Sequence, residues 1–244
     1  MLNEKDRLET DALEILRDAV QPLGSGALSA ALRERGHKLS EATVGRLLRE
    51  FDMANYTQKA GFQGRILSAA GAKRLAVLTA RKKSMEWGEE FAQILRGHDK
   101  EQLLEVLVAR RAIESELAAL AAQHATAEDL AKLENILADQ RRTLDAGGLA
   151  AQQDVDFHNL IARMAKNRVL EAAVALIRQD THLSPVLEYI RKHVHSLVYI
   201  DHEKIKNAIK SRQADQARQA MIEHINNLIT DVERYWEITV VEKN

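Results

Sequence analysis

The sequence contains no cysteine, only two prolines and few aromatic residues among its 244 positions. The absence of cysteine excludes disulfides, thiolate zinc sites and cysteine nucleophiles. Aromatic residues make up 4% of the chain, and together with the scarcity of proline this argues against a β-sandwich or a β-barrel. Ala, Leu, Arg, Glu and Gln dominate instead, and all five are good helix formers. The composition therefore predicts a mostly α-helical protein.

The sequence also has little that would direct a protein into or across a membrane. The N-terminal stretch MLNEKDRLETDALEIL carries acidic residues in its first turns and has no apolar core followed by a small-residue cleavage site, so it does not resemble a secretory signal. No apolar run approaches the roughly 18 residues needed to span a bilayer. We therefore expect a cytoplasmic protein without membrane contact.

The net charge of −1 conceals an uneven distribution of charge along the chain. Between Arg33 and Lys83 there are twelve Lys or Arg residues and four acidic residues. From Ser84 onward, twenty basic residues stand against twenty-six acidic ones. A basic module joined to an acidic one indicates that only the first meets a polyanion such as duplex DNA.

Three helices and a hairpin are predicted in the N-terminal part of the chain, which together make a winged helix-turn-helix. Apolar residues at helical spacing predict a first helix over Thr10–Val20, and Ser25 can cap a second helix that ends at Gly36. Ser40 can cap the third helix. The predicted buried stripe of that helix consists of Val44, Leu47, Leu48 and Phe51. From Tyr56 to Leu67, polar and apolar residues alternate around glycines, as in a two-stranded ribbon.

The run GSGALSAALRERGHKLSEATVGRLLREFD and the wing GFQGRILSAAG resemble the winged-helix domain of ribonuclease R-type and NrpR-type proteins, over about residues 8–75. In a transcription regulator, such a module implies binding to duplex DNA, with the third helix in the major groove and the wing over the backbone. The candidate DNA contacts are Ser40, Thr43, Arg46, Arg49, Gln63 and Arg65. The two helix arginines could equally belong to a solvated helix face, but the basic cluster and the wing favour DNA.

Beyond the basic region every pattern is helical, after a helical connector over residues 71–85. The predicted helices run over Trp87–Arg96, Lys100–His124, Ala127–Asp145, Leu149–Ala165, Val169–Val194, Tyr199–Lys210 and Asp215–Trp236. Thr126 can cap the helix that follows it. We therefore predict a winged helix-turn-helix domain over residues 1–78, a helical linker over residues 79–98, and an antiparallel all-α bundle of six or seven helices over residues 99–238.

Four polar residues in the predicted bundle share a geometry that scattered surface residues do not require. Asp154 and His158 are one helical turn apart, so both project from the same helix face. His202 and His224 lie symmetrically about Gln213, so two helices folded back at this polar segment would bring them face to face. One carboxylate and three neutral imidazoles make a site for a divalent ion with room for a water or a ligand oxygen. The alternative for His158 is a half-buried histidine of the core.

Three segments resemble the FCD effector domain of GntR-type transcription regulators of the FadR subfamily. They are EVLVARRAIESELAALAAQHATAEDLAKLE, DVDFHNLIARMAKNRVL and DHEKIKNAIKSRQADQARQAMIEHI, and the resemblance covers roughly residues 87–236. The family's metal ligands then map onto Asp154, His158, His202 and His224. Zinc fits this set best, and nickel, manganese or iron would be tolerated. The chain departs from the family pattern at Ala214, where the turn usually carries Gly, and in its type of winged helix.

The same resemblance implies a role for Arg110. The family pattern places an Arg one turn before a Glu, here Glu114, and this Arg lines the ligand cavity. A guanidinium can hold a carboxylate with two parallel hydrogen bonds. There are two alternatives to this role. Arg110 could form an intrahelical salt bridge with Glu114 on the surface, or the helix register could place Arg111 in the cavity instead.

The resemblance as a whole implies an effector-responsive regulator, most often a repressor and a homodimer, that binds a double-stranded DNA operator and a small carboxylate-containing effector. It does not imply an enzyme. A rival hypothesis is a metalloenzyme, because three His, one Asp and an open coordination position could activate water. However, the sequence has no Glu-x-x-His motif of a di-iron site and no obvious general base. A second rival makes the metal itself the signal, and a third makes the metal structural, with a protein partner as the signal.

Overall fold

The computed structural model describes residues 3–95, 99–178 and 183–241. The chain divides into two compact units, Met1–Ala92 and Gln93–Asn244. The described residues form eleven helices and one two-stranded antiparallel sheet, which confirms the predicted mostly α-helical fold class. No helix in these three ranges combines the length and the apolar character needed to cross a lipid bilayer.

The first unit contains three helices, a hairpin and most of a long fourth helix. In chain order these elements are α1 (Glu4–Asp18), α2 (Ser25–Glu34), α3 (Glu41–Met53), β1 (Thr57–Lys59), β2 (Arg65–Leu67) and α4 (Ala69–Leu95). The core of the unit is formed by apolar residues of all four helices, among them the fully buried Leu13, Leu28 and Leu48. Ser40 caps α3 as predicted, because its hydroxyl accepts a hydrogen bond from the Thr43 amide.

Several details of this unit differ from the prediction. Asn3 caps α1 through the Asp6 amide, so the helix begins six residues early and ends at Asp18. Val20 therefore lies outside the helix and is fully exposed, and not part of the buried stripe. Gly24, and not Ser25, is the N-cap of α2, since the Ser25 hydroxyl donates to Glu41 instead. Leu47 is only partly buried.

The wing is fixed to the unit by its second strand. β1 and β2 pair with Thr57 opposite Leu67 and Lys59 opposite Arg65, and Arg65 forms a further bridge with Leu23. Gly64 has φ of +133°, and a Cβ at this position would lie 2.4 Å from the Leu23 carbonyl carbon. The hairpin therefore needs glycine here for both its backbone conformation and this close approach.

All the regular secondary structure in the described residues of the second unit is helical. Its helices are the end of α4 and then α5 (Lys100–His124), α6 (Ala127–Asp145), α7 (Ala151–Met164), α8 (Arg168–Ile177), α9 (Leu183–His193), α10 (Val198–Lys210) and α11 (Ala214–Val241). The central helix α5 packs against α7, α8, α10 and α11. Thr126 caps α6 as predicted and forms a capping box with Asp129.

Two helix predictions in this region are wrong. The connector over residues 71–85 and the helix Trp87–Arg96 form one continuous helix, α4, as far as Leu95; residues 96–98, the end of the predicted linker, lie outside the described residues. The single helix Val169–Val194 is two helices, α8 and α9, separated by Arg178 and by residues 179–182, which also lie outside the described residues. Pro185 lies in the first turn of α9, where its missing N–H costs no helix hydrogen bond.

Candidate functional site

The structure brings the four predicted metal ligands together inside the second unit. Asp154 and His158 come from α7, His202 from α10 and His224 from α11. All four side chains are buried, and one nitrogen or oxygen atom of each lies within 4.8 Å of those of the others. We call these four residues the His/Asp cluster. The α10–α11 hairpin gives the predicted face-to-face arrangement, with the His202 and His224 rings 4.6 Å apart.

An oxygen atom faces Nδ1 of two of the imidazole rings. His202 Nδ1 lies at hydrogen-bond distance, 2.9 Å, from Gln140 Oε1, whereas His224 Nδ1 lies 3.9 Å from Asp201 Oδ2, beyond hydrogen-bond distance. An Nδ1–H group that faces such an oxygen leaves Nε2 as the neutral, electron-donating nitrogen. Histidine ligands of metal ions are held in this way by outer-shell carboxylates and amides.

His158 follows the same pattern. Its Nδ1 contacts the Glu114 carboxylate, and its Nε2 lies 3.6 Å from Asp154 Oδ1. His202 Nε2 is also 3.6 Å from the same Asp154 oxygen. The Nε2 atoms of all three histidines are buried and have no hydrogen-bond partner among the described residues. Buried polar atoms without a partner are costly, so three of them around one carboxylate fit a divalent cation.

The environment also gives these groups the protonation states of metal ligands. Burial lowers the pKa of His224 to about 4 and, together with the neighbouring His224 imidazole, holds the pKa of His202 well below its ordinary value. Burial alone would raise the pKa of the Asp154 carboxyl, but His158 and Arg178 hold it well below its ordinary range. At neutral pH the cluster therefore combines the anionic Asp154 carboxylate with neutral imidazoles at His202 and His224.

These pKa shifts predict that the metal-free protein loses stability as the pH falls from about 6.5 to about 4. Unfolded His224 takes up its proton near its ordinary pKa, whereas the folded residue does so only at about 4. The unfolded chain binds more protons in this window, so the free energy of unfolding rises with pH there, by on the order of 3 kcal/mol for one histidine. Urea unfolding of chelator-treated protein across this range measures the slope. His224→Gln should flatten it, and an unchanged slope in this variant would contradict the assignment.

A chain of six buried charged residues runs alongside the His/Asp cluster, with positive and negative groups in alternation. The order is Arg110, Glu114, Arg178, Asp154, Arg191 and Glu188, and every side chain in it is at most 9% exposed. The shortest link joins Arg110 Nε to Glu114 Oε1 at 2.6 Å, and Arg178 Nη2 to Asp154 Oδ2 and Arg191 Nη1 to Glu188 Oε1 are both 2.8 Å. We call this set the ion-pair chain. Asp154 belongs to both sets, so it couples the ion-pair chain to the candidate metal centre.

The Arg110–Glu114 pair is intrahelical but buried, so the surface salt bridge considered from the sequence is wrong. One guanidinium nitrogen of Arg110, Nη2, has no hydrogen-bond partner among the described residues. Arg111 donates to Asn226 at an exposed position. The role of Arg110 in effector binding stays a prediction, and Arg110 rather than Arg111 is the buried residue of the two.

Three members of the ion-pair chain, Arg178, Arg191 and Glu188, were not predicted from the sequence. A signal for two of them was present in α9. Glu188 and Arg191 are spaced i,i+3 and each directly follows a buried apolar residue, Leu187 or Ile190. A charged pair at the edge of an apolar stripe is a candidate for burial. Arg178 lies beyond the end of α8 and has no comparable signal.

The first unit presents most of the predicted DNA contacts to solvent. Ser40, Arg46, Arg49 and Gln63 are exposed and Thr43 is partly buried. Arg65 is partly buried, and both oxygens of the Asp52 carboxylate hold its guanidinium. The pair fastens the wing to the end of α3, and a DNA contact by Arg65 stays a prediction. At the tip of the wing Phe62, which the sequence analysis did not single out, is fully exposed.

Comparison with known families and proteins finds similarity over both units. The profile of the FCD domain matches residues 105–227, and that of the Ribonuclease R winged-helix domain matches residues 10–75. The chain is 31% identical over 129 residues to the Uxu operon regulator of Haemophilus influenzae, which covers 51% of this chain and 48% of that protein. It is 35% identical over 117 residues to the HTH-type transcriptional repressor NanR of Edwardsiella tarda, and this match covers 47% of this chain and 45% of that protein. The match to the HTH-type transcriptional regulator LutR of Bacillus subtilis is 27% identical over 154 residues, and it covers 61% of this chain and 69% of that protein.

The chain spans about half the length of the first two of these relatives. Among solved structures, it resembles Streptococcus agalactiae GntR with a TM-score of 0.46 and 19% identity, covering 92% of this chain and 97% of the other. It resembles E. coli McbR/YncC with a TM-score of 0.49 and 18% identity, and this match covers 97% of this chain and 100% of the other.

Proposed function

The chain belongs to the FCD domain family of GntR-type regulators, and from this premise we propose that it is a DNA-binding transcription regulator whose helical unit senses a small organic acid through a divalent metal ion. The observation that carries the proposal is the His/Asp cluster, with three unpartnered buried Nε2 atoms around one carboxylate. The names of similar curated proteins, which include a transcriptional repressor, support the regulatory role. In line with them, we propose a repressor that acts as a homodimer.

Asp154, His158, His202 and His224 would hold the ion, and zinc suits three imidazoles and one carboxylate best. When bound, the ion would supply a Lewis acid that takes one or two oxygens of the acid. The protein itself would contribute positive charge beside the metal ion. Arg110 Nη2 and the Nε and Nη1 atoms of Arg178 are buried donors without a hydrogen-bond partner in the described ranges, and they can accept a carboxylate.

DNA binding is proposed for α3 and the wing of the first unit. Arg46 and Arg49 are exposed on α3, the exposed Ser40 caps this helix and Thr43 is partly buried in its first turn. Gln63 and Phe62 lie at the tip of the wing. The excess of basic residues between Arg33 and Lys83 supplies the electrostatic attraction for phosphates. An effector can change DNA affinity only by binding more tightly to one of the two DNA-binding states.

Arg46→Ala is expected to weaken DNA binding by about 1–3 kcal/mol, because an arginine on the recognition helix contributes a base or phosphate contact. The measurement uses full-length protein and a duplex selected by this protein from a random-sequence library, with fluorescence anisotropy at several salt concentrations. Arg218→Ala is the matched control, since Arg218 lies on α11 in the other unit and pairs with Glu116 and Asp215. Equal loss of affinity in the two variants would contradict the role of α3.

The same duplex complex separates the sensing proposal from its nearest rival. Chelator-treated protein is bound to the duplex, zinc is added, and a panel of small organic acids follows. Release that requires both zinc and an acid supports the proposal. Release by zinc alone, with no further response to any acid in the panel, would make the ion itself the signal.

A further inference from the structure

The charges of the ion-pair chain cancel. Arg110, Arg178 and Arg191 stand against Glu114, Asp154 and Glu188, and all six side chains are at most 9% exposed. The three imidazoles of the His/Asp cluster add no charge when they are neutral. Two further carboxylates lie near the cluster: that of Asp201 is 3.6 Å from the Lys204 ammonium, and that of Asp231 interacts with the cations Arg191 and Arg234. Without a metal ion, this buried region is therefore electrically balanced.

A divalent ion at the cluster would upset this balance by two positive charges. Asp154, the carboxylate among the four candidate ligands, is already neutralised by Arg178 and Arg191 within the ion-pair chain. Uncompensated charge in a buried site is costly, and it is stable only when a counter-charge accompanies it. The loaded site thus lacks two negative charges, and a monocarboxylate supplies one.

The structure also offers a place for a second anionic group. A cavity of about 350 Å³ adjoins the ion-pair chain, with Glu188 and Arg191 among its lining residues and Arg141, Lys192 and His195 around them. Arg191 Nη1 lies 3.4 Å from Asp154 Oδ1 and 2.8 Å from Glu188 Oε1, so this one guanidinium joins the cavity to the cluster. The volume lies in the range of small-molecule sites.

We propose that the effector is a small dicarboxylate, with one carboxylate beside the metal centre at Arg110 and Arg178 and the other at Arg191 in this cavity. The inference rests on the proposed function, which it deepens by naming the substrate class. In this arrangement Glu188 holds Arg191 in the absence of effector and competes with the second carboxylate for it. Arg191 is the residue that distinguishes a dicarboxylate from a monocarboxylate.

Two pairs of acids that differ by one charge test the proposal, namely succinate against succinamate and glutarate against glutaramate. Calorimetric titration of full-length zinc-loaded protein should show a dicarboxylate binding about tenfold or more tightly than its monoamide. In chelator-treated protein this preference should vanish, because the region is then balanced. Equal affinities in the zinc-loaded protein, or a preference that persists without zinc, would overturn the inference.

Variants of Glu188 and Arg191 give a second readout. Burial raises the pKa of Glu188, so the titrations are run at about pH 8, where its carboxylate is ionised. Glu188→Gln keeps the shape and frees Arg191, so dicarboxylate affinity should rise about three- to tenfold while succinamate affinity stays unchanged. Arg191→Gln should abolish the preference, and Arg218→Gln on the surface of α11 is the matched control. Unchanged or weaker dicarboxylate binding in Glu188→Gln would refute the competition for Arg191.

The outcomes also separate this inference from the proposed function. If zinc-loaded protein binds succinamate as well as succinate, acid sensing stands and the dicarboxylate assignment falls. If His224→Ala, which removes a candidate metal ligand, binds all four acids as the wild type does, the metal-dependent sensing itself is wrong.

Discussion

His224→Ala is expected to lower the zinc content of the purified protein from about one ion per chain to nearly none. His224 supplies a fully buried imidazole whose Nε2 has no other partner among the described residues, and its removal leaves three of the four candidate ligands. Loss of an outer-shell partner alone typically weakens metal binding about 10- to 100-fold, so loss of a direct ligand should cost more. His202→Ala should behave in the same way. Elemental analysis of protein purified without chelator measures both.

Two further variants make this test specific. His124→Ala is the matched control, because His124 is an exposed histidine at the end of α5 in the same unit, and its zinc content should equal that of the wild type. Gln140→Leu removes the partner of His202 Nδ1 and should give an intermediate affinity. If His224→Ala folds, as judged by circular dichroism, and still carries a full complement of zinc, then the His/Asp cluster is not the metal site.

The sequence predicted best those features whose determinants lie close together in the chain. The helix bounds Lys100–His124 and Ala127–Asp145 agree with α5 and α6, because Asp99 and Thr126 cap them locally. The grouping of Asp154 with His158 follows from the 3.6-residue period of one helix. That of His202 with His224 follows from one hairpin, whose turn is closed by Arg212 in a left-handed conformation.

The sequence could not indicate contacts in which the partner of a residue lies on another element. Arg65 was predicted as a DNA contact, and its ion pair with Asp52, thirteen positions earlier, was not predicted. The link from Arg178 to Asp154 joins residues 24 positions apart on separate helices, and that from Arg191 to Asp154 joins residues 37 positions apart. A periodicity within one helix cannot indicate such pairs. The ion-pair chain, and with it the charge balance of the site, therefore becomes visible only in the folded structure.

Glu114→Gln is expected to destabilise the metal-free protein by about 3–5 kcal/mol, since it removes one partner from a buried charge network. The Glu114 carboxylate contacts Arg110, Arg178 and His158. Burial alone would raise its pKa, but the guanidinium groups of Arg110 and Arg178 and a hydrogen bond from His158 hold the pKa well below its ordinary range. The amide keeps the shape and loses the charge, so the buried Arg110 guanidinium loses its carboxylate partner and Arg178 keeps only Asp154. Urea unfolding followed by circular dichroism measures the loss.

Glu116→Gln provides the matched control for this prediction. Glu116 lies two residues further along α5, and its half-exposed side chain pairs with Arg218 at 2.9 Å. An exposed pair contributes about 0–1 kcal/mol, so this variant should unfold close to the wild type. Equal, small effects of the two substitutions would mean that water relieves the buried arginines. The charge of the ion-pair chain would then be screened, and the need for two negative charges in the metal-loaded site would disappear with it.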